Sequence, residues 1–338
     1  MHCLPRYFGP RNRRLPSLPP RHARPRAERQ MLHRCPRQMT PSRFAPPPAP
    51  RTRMTSTPSS LMTNAADGTR TGTLPSLLCQ SRPAARARIA GLARLRETRS
   101  TNDLLLAMPF GACHGWVILA HAQSGARGRN GRQWHSPPGA GLYLSIGWVF
   151  PGIDRSQVGP LSLRIGLVLA EVLAPWGGGR IGLKWPNDLL AGDAKLAGVL
   201  IETRAGAGDL AVVVGIGVNV RKPHLGEFAA AGSVTSLEQL AEDGGPTVET
   251  VALAVIPAII DALATWDPAD SAVWLPRWRS LDILADQWVS WIEAGVRHEG
   301  RARGPLADGA LLVETIAGAR QVRAGEVERL RPARAPAV

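Results

Sequence analysis

The chain is poor in cysteine, in familiar catalytic signatures and, over its first fifty residues, in acids, and each shortage removes a class of protein. Of the four cysteines (Cys3, Cys35, Cys79 and Cys113) no two form a CxxC pair, and three precede the first apolar periodicity. No disulfide framework or zinc site is indicated, and a reducing, cytoplasmic location is expected. No uninterrupted apolar run reaches the roughly 20 residues a membrane helix needs, and no N-terminal segment resembles a secretory signal. G-x-x-x-x-G-K-[ST], H-E-x-x-H and G-x-S-x-G are all missing. Gly215-Ile216-Gly217-Val218-Asn219-Val220 starts like a dinucleotide fingerprint, but Val220 stands where a third glycine is required. It also lies inside an apolar strand, so its glycines read instead as positions of close backbone approach.

What is present fits a folded protein with a basic extension. The 338 residues leave room for two domains, and a hydrophobic share of 44% is ordinary. The net charge of +15 points first to nucleic acid. Yet residues 1–53 hold 13 arginines and a single acid, Glu28, a net of +12 that leaves the other 285 residues at +3. That distribution argues against DNA as a partner of the folded part. Residues 1–84, rich in Pro, Arg and Ser, cannot bury enough apolar surface to offset their ordering entropy and are expected to be disordered. Three readings of them stand: an upstream extension with translation starting at Met54 or Met62, a transit-like peptide, or a nucleic-acid-binding arm.

From Ile89 onward, elements alternate. Ser100 and Asp103 mark a helix start close to a capping box. Trp116–Ala120 reads as a buried strand, and Leu142, Leu144, Ile146 and Trp148 as a half-buried one. A helix is expected over Ser156–Leu173, with Pro160 early in it. Further strands are expected at Ile181–Trp185, Leu196–Glu202 and Leu210–Val220, with a turn over Arg204–Asp209. The apolar stretch Val248–Trp266 reads as a helix kinked or split by Pro257. Beyond Asp286, Trp288–Ile292, Val296–Ala302, Ala310–Thr315 and Arg320–Val322 read as a small β-barrel.

Two segments carry candidate chemistry. Arg127-Gly128-Arg129-Asn130-Gly131-Arg132 sets three guanidinium forks among glycines, suited to closing over an anion; a solvated basic hairpin would look similar. Lys184-Trp185-Pro186-Asn187-Asp188 groups a cation, an amide and a carboxylate at a strand end. Taken alone it is also an ordinary turn. Beside the arginine loop it reads as a polyphosphate and carboxylate site, Lys184 neutralising developing phosphoryl charge and Asp188 holding Mg²⁺.

Taken together, the motifs resemble the biotin–protein ligases. They are S-T-N (Ser100–Asn102), A-R-G-R-N-G-R-Q-W (Ala126–Trp134), L-Y-L-S (Leu142–Ser145), K-W-P-N-D-L (Lys184–Leu189), K-L-A-G-V-L-I-E (Lys195–Glu202), G-I-G-V-N-V (Gly215–Val220) and W-R-S-L-D (Trp278–Asp282), in the family's order. The resemblance spans about residues 90–331. It implies an α+β fold: a mixed sheet with flanking helices of class II synthetase type over 85–284, an SH3-like barrel over 285–331 and a short tail over 332–338.

It also implies a reaction. Biotin's carboxylate would attack the α-phosphorus of ATP, releasing pyrophosphate, and a lysine of a biotin carboxyl carrier protein would then take biotin from biotinyl-5′-AMP. Carried over by position, Ser100, Thr101, Asn102 and Gln123 would contact biotin. Arg127, Gly128 and Arg129 would wrap its carboxylate and the adenylate phosphate. Lys184 would act at the carboxylate–phosphate junction, with Arg127 and Arg129 beside it. Gly131, Arg132 and Asn187 would serve the nucleotide, Trp134 and Asn219 the adenine, and Asp188 Mg²⁺. Two departures stand out: Ala126 where the family usually has glycine, and Asn130 where arginine or a variable residue is common. No counterpart of the ligase–repressors' helix-turn-helix is expected. A lipoate-type ligase is the enzymatic rival, a nucleic-acid-binding regulator the rival of another class. No membrane partner is expected, and a homodimer by sheet pairing is compatible with the sequence.

Overall fold

A computed structural model of the protein describes residues 83–206, 208–222, 234–324 and 327–333. The chain divides into Met1–Thr55, which lies outside the described residues, and Ser56–Val338, to which everything below belongs. The disorder expected over residues 1–84 therefore falls almost wholly outside the described part, as does most of the tail.

Seven strands form the main sheet: β1 (Gly91–Thr98), β2 (Trp116–Gln123), β3 (Gly141–Pro151), β4 (Ile181–Lys184), β5 (Asp188–Ala191), β6 (Ala194–Gly206) and β7 (Asp209–Asn219). Their order is β1-β2-β3-β7-β6-β5-β4. β1 and β2 run parallel and all other neighbours antiparallel, which makes the sheet mixed as expected. The two-residue period of a strand sorts β7 cleanly. Leu210, Val212, Val214, Ile216 and Val218 face one large core. Ala211 and Val213 enter a smaller cluster on the opposite face, with Leu105, Met108, Cys113 and Ile118. Toward the end of β7 that second face carries Gly215 and Gly217, and there the sheet stays open to form the floor of a cleft.

Among the described residues six α-helices accompany the sheet: α1 (Pro83–Arg86), α2 (Thr101–Leu106), α3 (Gly159–Gly177), α4 (Leu237–Leu240), α5 (Val248–Ala264) and α6 (Ser271–Ser280). α3 and α5 pack together and cover the large core, whereas α2 packs on β2, β3 and β7. Arg155–Gly177 is long and apolar enough to cross a bilayer by length and composition, but 61% of its most apolar window is buried inside this fold.

Several boundaries differ from expectation. A helix expected over Ser156–Leu173 is a 3-10 turn at Arg155–Val158, closed by an Asp154–Gln157 capping box, followed by α3. α3 runs through Pro175 to a left-handed Gly178 cap. α5 continues unbroken past Pro257. A helix-interior proline costs about 3 kcal/mol, but Val251, Val255, Ile256, Ile259 and Ile260 are all buried here, each worth about 1.5–3 kcal/mol. The half-buried strand at Leu142–Trp148 is covered on both faces, because Tyr143 and Ser145 point into the α2 side. β1 and β5 had no strand expectation of their own. The turn expected over Arg204–Asp209 is narrower, since Arg204 pairs with Ala211 and Gly206 with Asp209 inside a hairpin.

Five more strands follow α6: β8 (Trp288–Glu293), β9 (Val296–Pro305), β10 (Leu311–Thr315), β11 (Gly318–Val322) and β12 (Val327–Pro332). They form a second, wholly antiparallel sheet in the order β11-β10-β9-β8-β12. The segment leading into this sheet, and its β9–β10 turn, are fastened to the end of β4. Leu183 N donates to Leu281 O at 2.7 Å and Ile283 N to Leu183 O at 3.0 Å. The buried Trp185 indole donates to Gly309 O at 3.0 Å.

Candidate active site

A cleft of about 1040 Å³ opens over the glycine-rich end of β7, between α2, the arginine loop, the β4–β5 hairpin and the end of β12. Every site residue expected from the sequence lines it except Gly131.

Its uncharged end is built on α2. Ser100 caps that helix, its hydroxyl accepting from Asp103 N, so that Thr101 and Asn102 are fixed at the first turn. Gln123, at the end of β2, accepts from Thr101 N at 2.8 Å and Thr101 Oγ1 at 3.2 Å, and donates to Ser136 Oγ at 3.3 Å. Ser145 on β3 donates to Asn102 Oδ1 at 2.5 Å and lies 2.6 Å from Thr101 Oγ1. Asn102 Nδ2 donates to Glu202 Oε2 at 2.7 Å. Ser100, Thr101, Asn102 and Ser145 are all buried. A buried polar network of this kind is stiff, because every partner lost leaves a desolvated group behind.

The arginine loop closes on itself rather than spanning between long strands. Arg127 and Gln133 form an isolated bridge. Gly128 N donates to Arg132 O at 2.6 Å and Trp134 N to Ala126 O at 2.9 Å. The reversal is made by Asn130 (φ 55°) and Gly131 (φ 69°), which gives both positions a physical reason: asparagine and glycine tolerate the left-handed region. Ala126 is buried and keeps a negative φ, so the hinge accepts a Cβ.

The three loop arginines are placed differently. Arg127 Nη2 lies 2.5 Å from Asp103 Oδ1 and 3.0 Å from Glu202 Oε1. Its hydrogen bonds to Asp103 and then to Glu202, with burial opposing, hold its pKa above the ordinary arginine value. Arg129 is half-buried and donates to Ala324 O, between β11 and β12; burial pushes its pKa down, with Asp188 opposing. Arg132 lines the cleft near Lys184.

Lys184 ends β4 opposite Asp188 on β5. Among the described residues no hydrogen bond or ion pair holds its amine. Burial lowers its pKa, Asp188 opposes this, and Lys195, Arg331 and Arg132 push it further down. Asp188 Oδ1 is 2.7 Å from Lys195 Nζ but at angles that do not make a hydrogen bond, so it keeps capacity to accept. Asn187 Nδ2 donates to Val199 O at 2.8 Å, fixing the turn. Asn219 Nδ2 donates to Lys195 O at 3.2 Å, tying β7 to the start of β6. Trp134 lies on the floor: a Cβ on Gly217 would sit 2.6 Å from its ring and one on Gly198 3.2 Å. Lys195 Nζ is 5.1 Å from the ring centroid.

Six cations (Arg127, Arg129, Arg132, Lys184, Lys195 and Arg331) and two carboxylates (Asp188 and Asp193) line this space. A cavity of that balance, half apolar-walled, favours an anionic ligand. Asp103, Ser145, Lys195, Glu202 and Arg331 carry no site role in the sequence reading, where Asp103 marks only a helix start. All but Arg331 lie in or beside a quoted motif; Arg331, on β12, carries no local signal.

A model of the biotin/lipoate A/B protein ligase family matches residues 95–219. The chain is 37% identical over 218 residues to the bifunctional ligase/repressor BirA of Salmonella typhimurium and 36% identical over 218 to that of Escherichia coli. These alignments cover 64% of this chain and 67% and 66% of the relatives, so about a third of each relative has no aligned counterpart. The biotin–[acetyl-CoA-carboxylase] ligase of Mycobacterium tuberculosis is 40% identical over 129 residues, covering 37% of this chain and 47% of that protein. Among solved structures, the biotin protein ligase of Aquifex aeolicus in complex with biotin and ATP superposes with a TM-score of 0.61 at 27% identity, covering 72% of this chain and all of that one.

Proposed function

The chain belongs to the biotin/lipoate A/B protein ligase family, among its biotin protein ligases, and on that premise we propose that it activates biotin with ATP and transfers it to a lysine of a biotin carboxyl carrier protein. One observation carries the reading: a single cleft joins an uncharged, hydrogen-bonding end (Ser100, Thr101, Asn102, Gln123) to a cationic one (Arg127, Arg129, Arg132, Lys184). Biotin has that polarity, an uncharged ureido ring at one end and a carboxylate at the other, and ATP adds negative charge next to the carboxylate.

The first step needs two anions held together. A carboxylate oxygen attacks the α-phosphorus, the bond to the β-phosphate oxygen breaks, and pyrophosphate leaves. Lys184, half-buried and without a fixed partner, is the residue positioned to meet charge growing on the α-phosphoryl oxygens. Arg127 and Arg129 flank the junction, and Arg127 already has its guanidinium oriented by Asp103 and Glu202. In the second step the carrier's lysine amine attacks the acyl carbon and AMP leaves. Gly128, Gly131 and Arg132 would keep the loop over the adenylate and away from water. Trp134, with its indole NH unpartnered and its ring on the glycine floor, supports an adenine pocket. Asn187 and Asn219 would act there by holding backbone rather than by touching the base.

Asp188 fits a magnesium ion shared with substrate phosphates, the usual arrangement of one carboxylate plus phosphates. It retains acceptor capacity, and no cluster of three or more metal-ligating side chains exists among the described residues. When bound, the ion would neutralise the triphosphate. We further assign residues 85–284 to the catalytic domain and 285–331 to an SH3-like one, on the antiparallel sheet of β8–β12 in which β12 returns to pair with β8.

The test is biotin-dependent ATP–pyrophosphate exchange with lipoate as control. Exchange with biotin and none with lipoate is expected. Absence of biotin-dependent exchange from folded protein sinks the reading, and exchange with lipoate alone replaces it.

A further inference from the structure

Arg204 does not line the cleft, yet both arms of its guanidinium are spent on the helix that builds the cleft's uncharged end. Nη1 donates to Leu106 O at 2.9 Å and Nη2 to Met108 O at 2.7 Å. These carbonyls lie at and just past the C-terminus of α2, where an α-helix leaves its last acceptors unsatisfied. The Phe110 ring sits 5.6 Å from the guanidinium. It has room because residue 206 is glycine: a Cβ there would approach the ring to 3.0 Å.

α2 has six residues, well short of the roughly 12–15 at which an isolated helix holds itself together. It therefore depends on its surroundings for its position. Glu202, two residues before Arg204 and so on the same face of β6, binds Asn102 at the helix's first turn at 2.7 Å. β6 thus grips α2 at both ends, a carboxylate at the N-terminal end and a guanidinium at the C-terminal one. Each charge has the sign the helix dipole favours at that end.

We propose that Arg204 is a positioning residue: by clamping the C-terminal end of α2 it holds Ser100, Thr101 and Asn102 in the register that receives the substrate's uncharged end. The assignment of biotin as that substrate rests on the ligase reading above; the clamp itself rests on the geometry of β6 and α2. Lysine cannot replace the fork, because one ammonium cannot be aimed along two separate N–H directions as a planar guanidinium is.

The experiment compares the full-length wild type with Arg204→Met, which keeps the aliphatic stem and loses every donor, and with Arg204→Lys. Pyrophosphate exchange is measured with biotin and ATP varied separately, and amide deuterium exchange is followed over residues 101–108. For Arg204→Met, KM for biotin is expected to rise at least about tenfold, the scale of losing charge-assisted hydrogen bonds, while kcat and KM for ATP stay within about twofold. Arg204→Lys is expected to fall between, and α2 amides are expected to exchange faster in both variants. A biotin KM within about twofold of wild type overturns the clamp. So does an equal loss in kcat and both KM values with a lowered melting temperature, which is what a merely structural role gives. If Arg204→Met does not fold, the same KM split in Arg204→Lys decides. A wild type without biotin-dependent exchange defeats the ligase reading instead. In that case the clamp stands on faster α2 deuterium exchange in the variants and falls if exchange is unchanged.

Discussion

Lys184 and Asp282 are both half-buried ionisable groups, yet they titrate in opposite senses with different consequences. Burial lowers the Lys184 pKa, and the nearby cations add to the effect. The amine therefore loses its charge as pH rises through a value below the ordinary lysine range. The alkaline limb of exchange activity is expected at that lowered pH, and a limb at or above the ordinary lysine value would contradict the assignment. Lys184→Ala is expected to reduce exchange by at least about 10²-fold while biotin binding stays measurable; a wild-type rate removes Lys184 from the chemistry. Asp282, just after α6, forms an isolated bridge with Leu183 of β4. Burial raises its pKa from 3.8 to about 6, with the Leu284 amide and Arg279 opposing. A carboxyl whose folded pKa is raised favours the folded state in its protonated form. That contribution is present below about pH 4 and is lost as pH climbs through about 6. Asp282→Asn should thus melt higher than wild type at pH 7–8, with the gap closing toward pH 4. A pH-independent gap would show that the charge of Asp282 is not the cause.

At the scale of elements, β7 divides the cleft with two glycines on one face. A Cβ on Gly215 would sit 2.5 Å from Asn102 Oδ1, and one on Gly217 2.6 Å from the Trp134 ring. Neither neighbour can yield easily, because Asn102 is held by Ser145 and Glu202 and Trp134 rests on the sheet. Gly215→Ala is expected to raise KM for biotin about tenfold or more and leave that for ATP nearly unchanged. Gly217→Ala should do the reverse. Equal effects of the two substitutions on both substrates would argue against this division. The same strand was legible in advance, since its apolar alternation and close-approach glycines are local features. β5 was not, because Asp188–Ala191 gains its strand only by pairing with β4 and β6. The split that Pro257 allows for in α5 does not occur, for a similar reason. The proline penalty is local, while the burial that outweighs it comes from α3 and β3.

For the whole molecule, the charge asymmetry matters most. The basic excess sits in residues 1–53, and of the cleft's own cations Arg127 pairs with Asp103 and Glu202 and Lys195 with Asp188. A chain shortened to begin at Met62 is expected to keep full exchange activity and unchanged DNA retention. Loss of either would give the N-terminal segment a role. The Trp185–Gly309 hydrogen bond ties the end of β4 to the β9–β10 turn of the second sheet. Trp185→Phe, which deletes a buried donor and leaves Gly309 O short of its partner, is expected to lower the melting temperature by several degrees, the scale of about 1–2 kcal/mol. An unchanged melting temperature would make this link dispensable.

The residue types at Ser100–Asn102, Arg127–Arg132 and Lys184–Asp188, the helix start at Ser100 and the strand that delivers Lys184 were already determined by the sequence. Hydrogen-bond donors, charge and two- or four-residue periodicity are local properties. What the tertiary structure alone decided is which partner each side chain has. Glu202 reaches Asn102 and Arg127, Arg204 reaches back to α2, and Arg129 finds Ala324. These pairs lie between 75 and 195 residues apart. Burial and opposite charge select such contacts only once the chain is folded, and no spacing along the chain announces them.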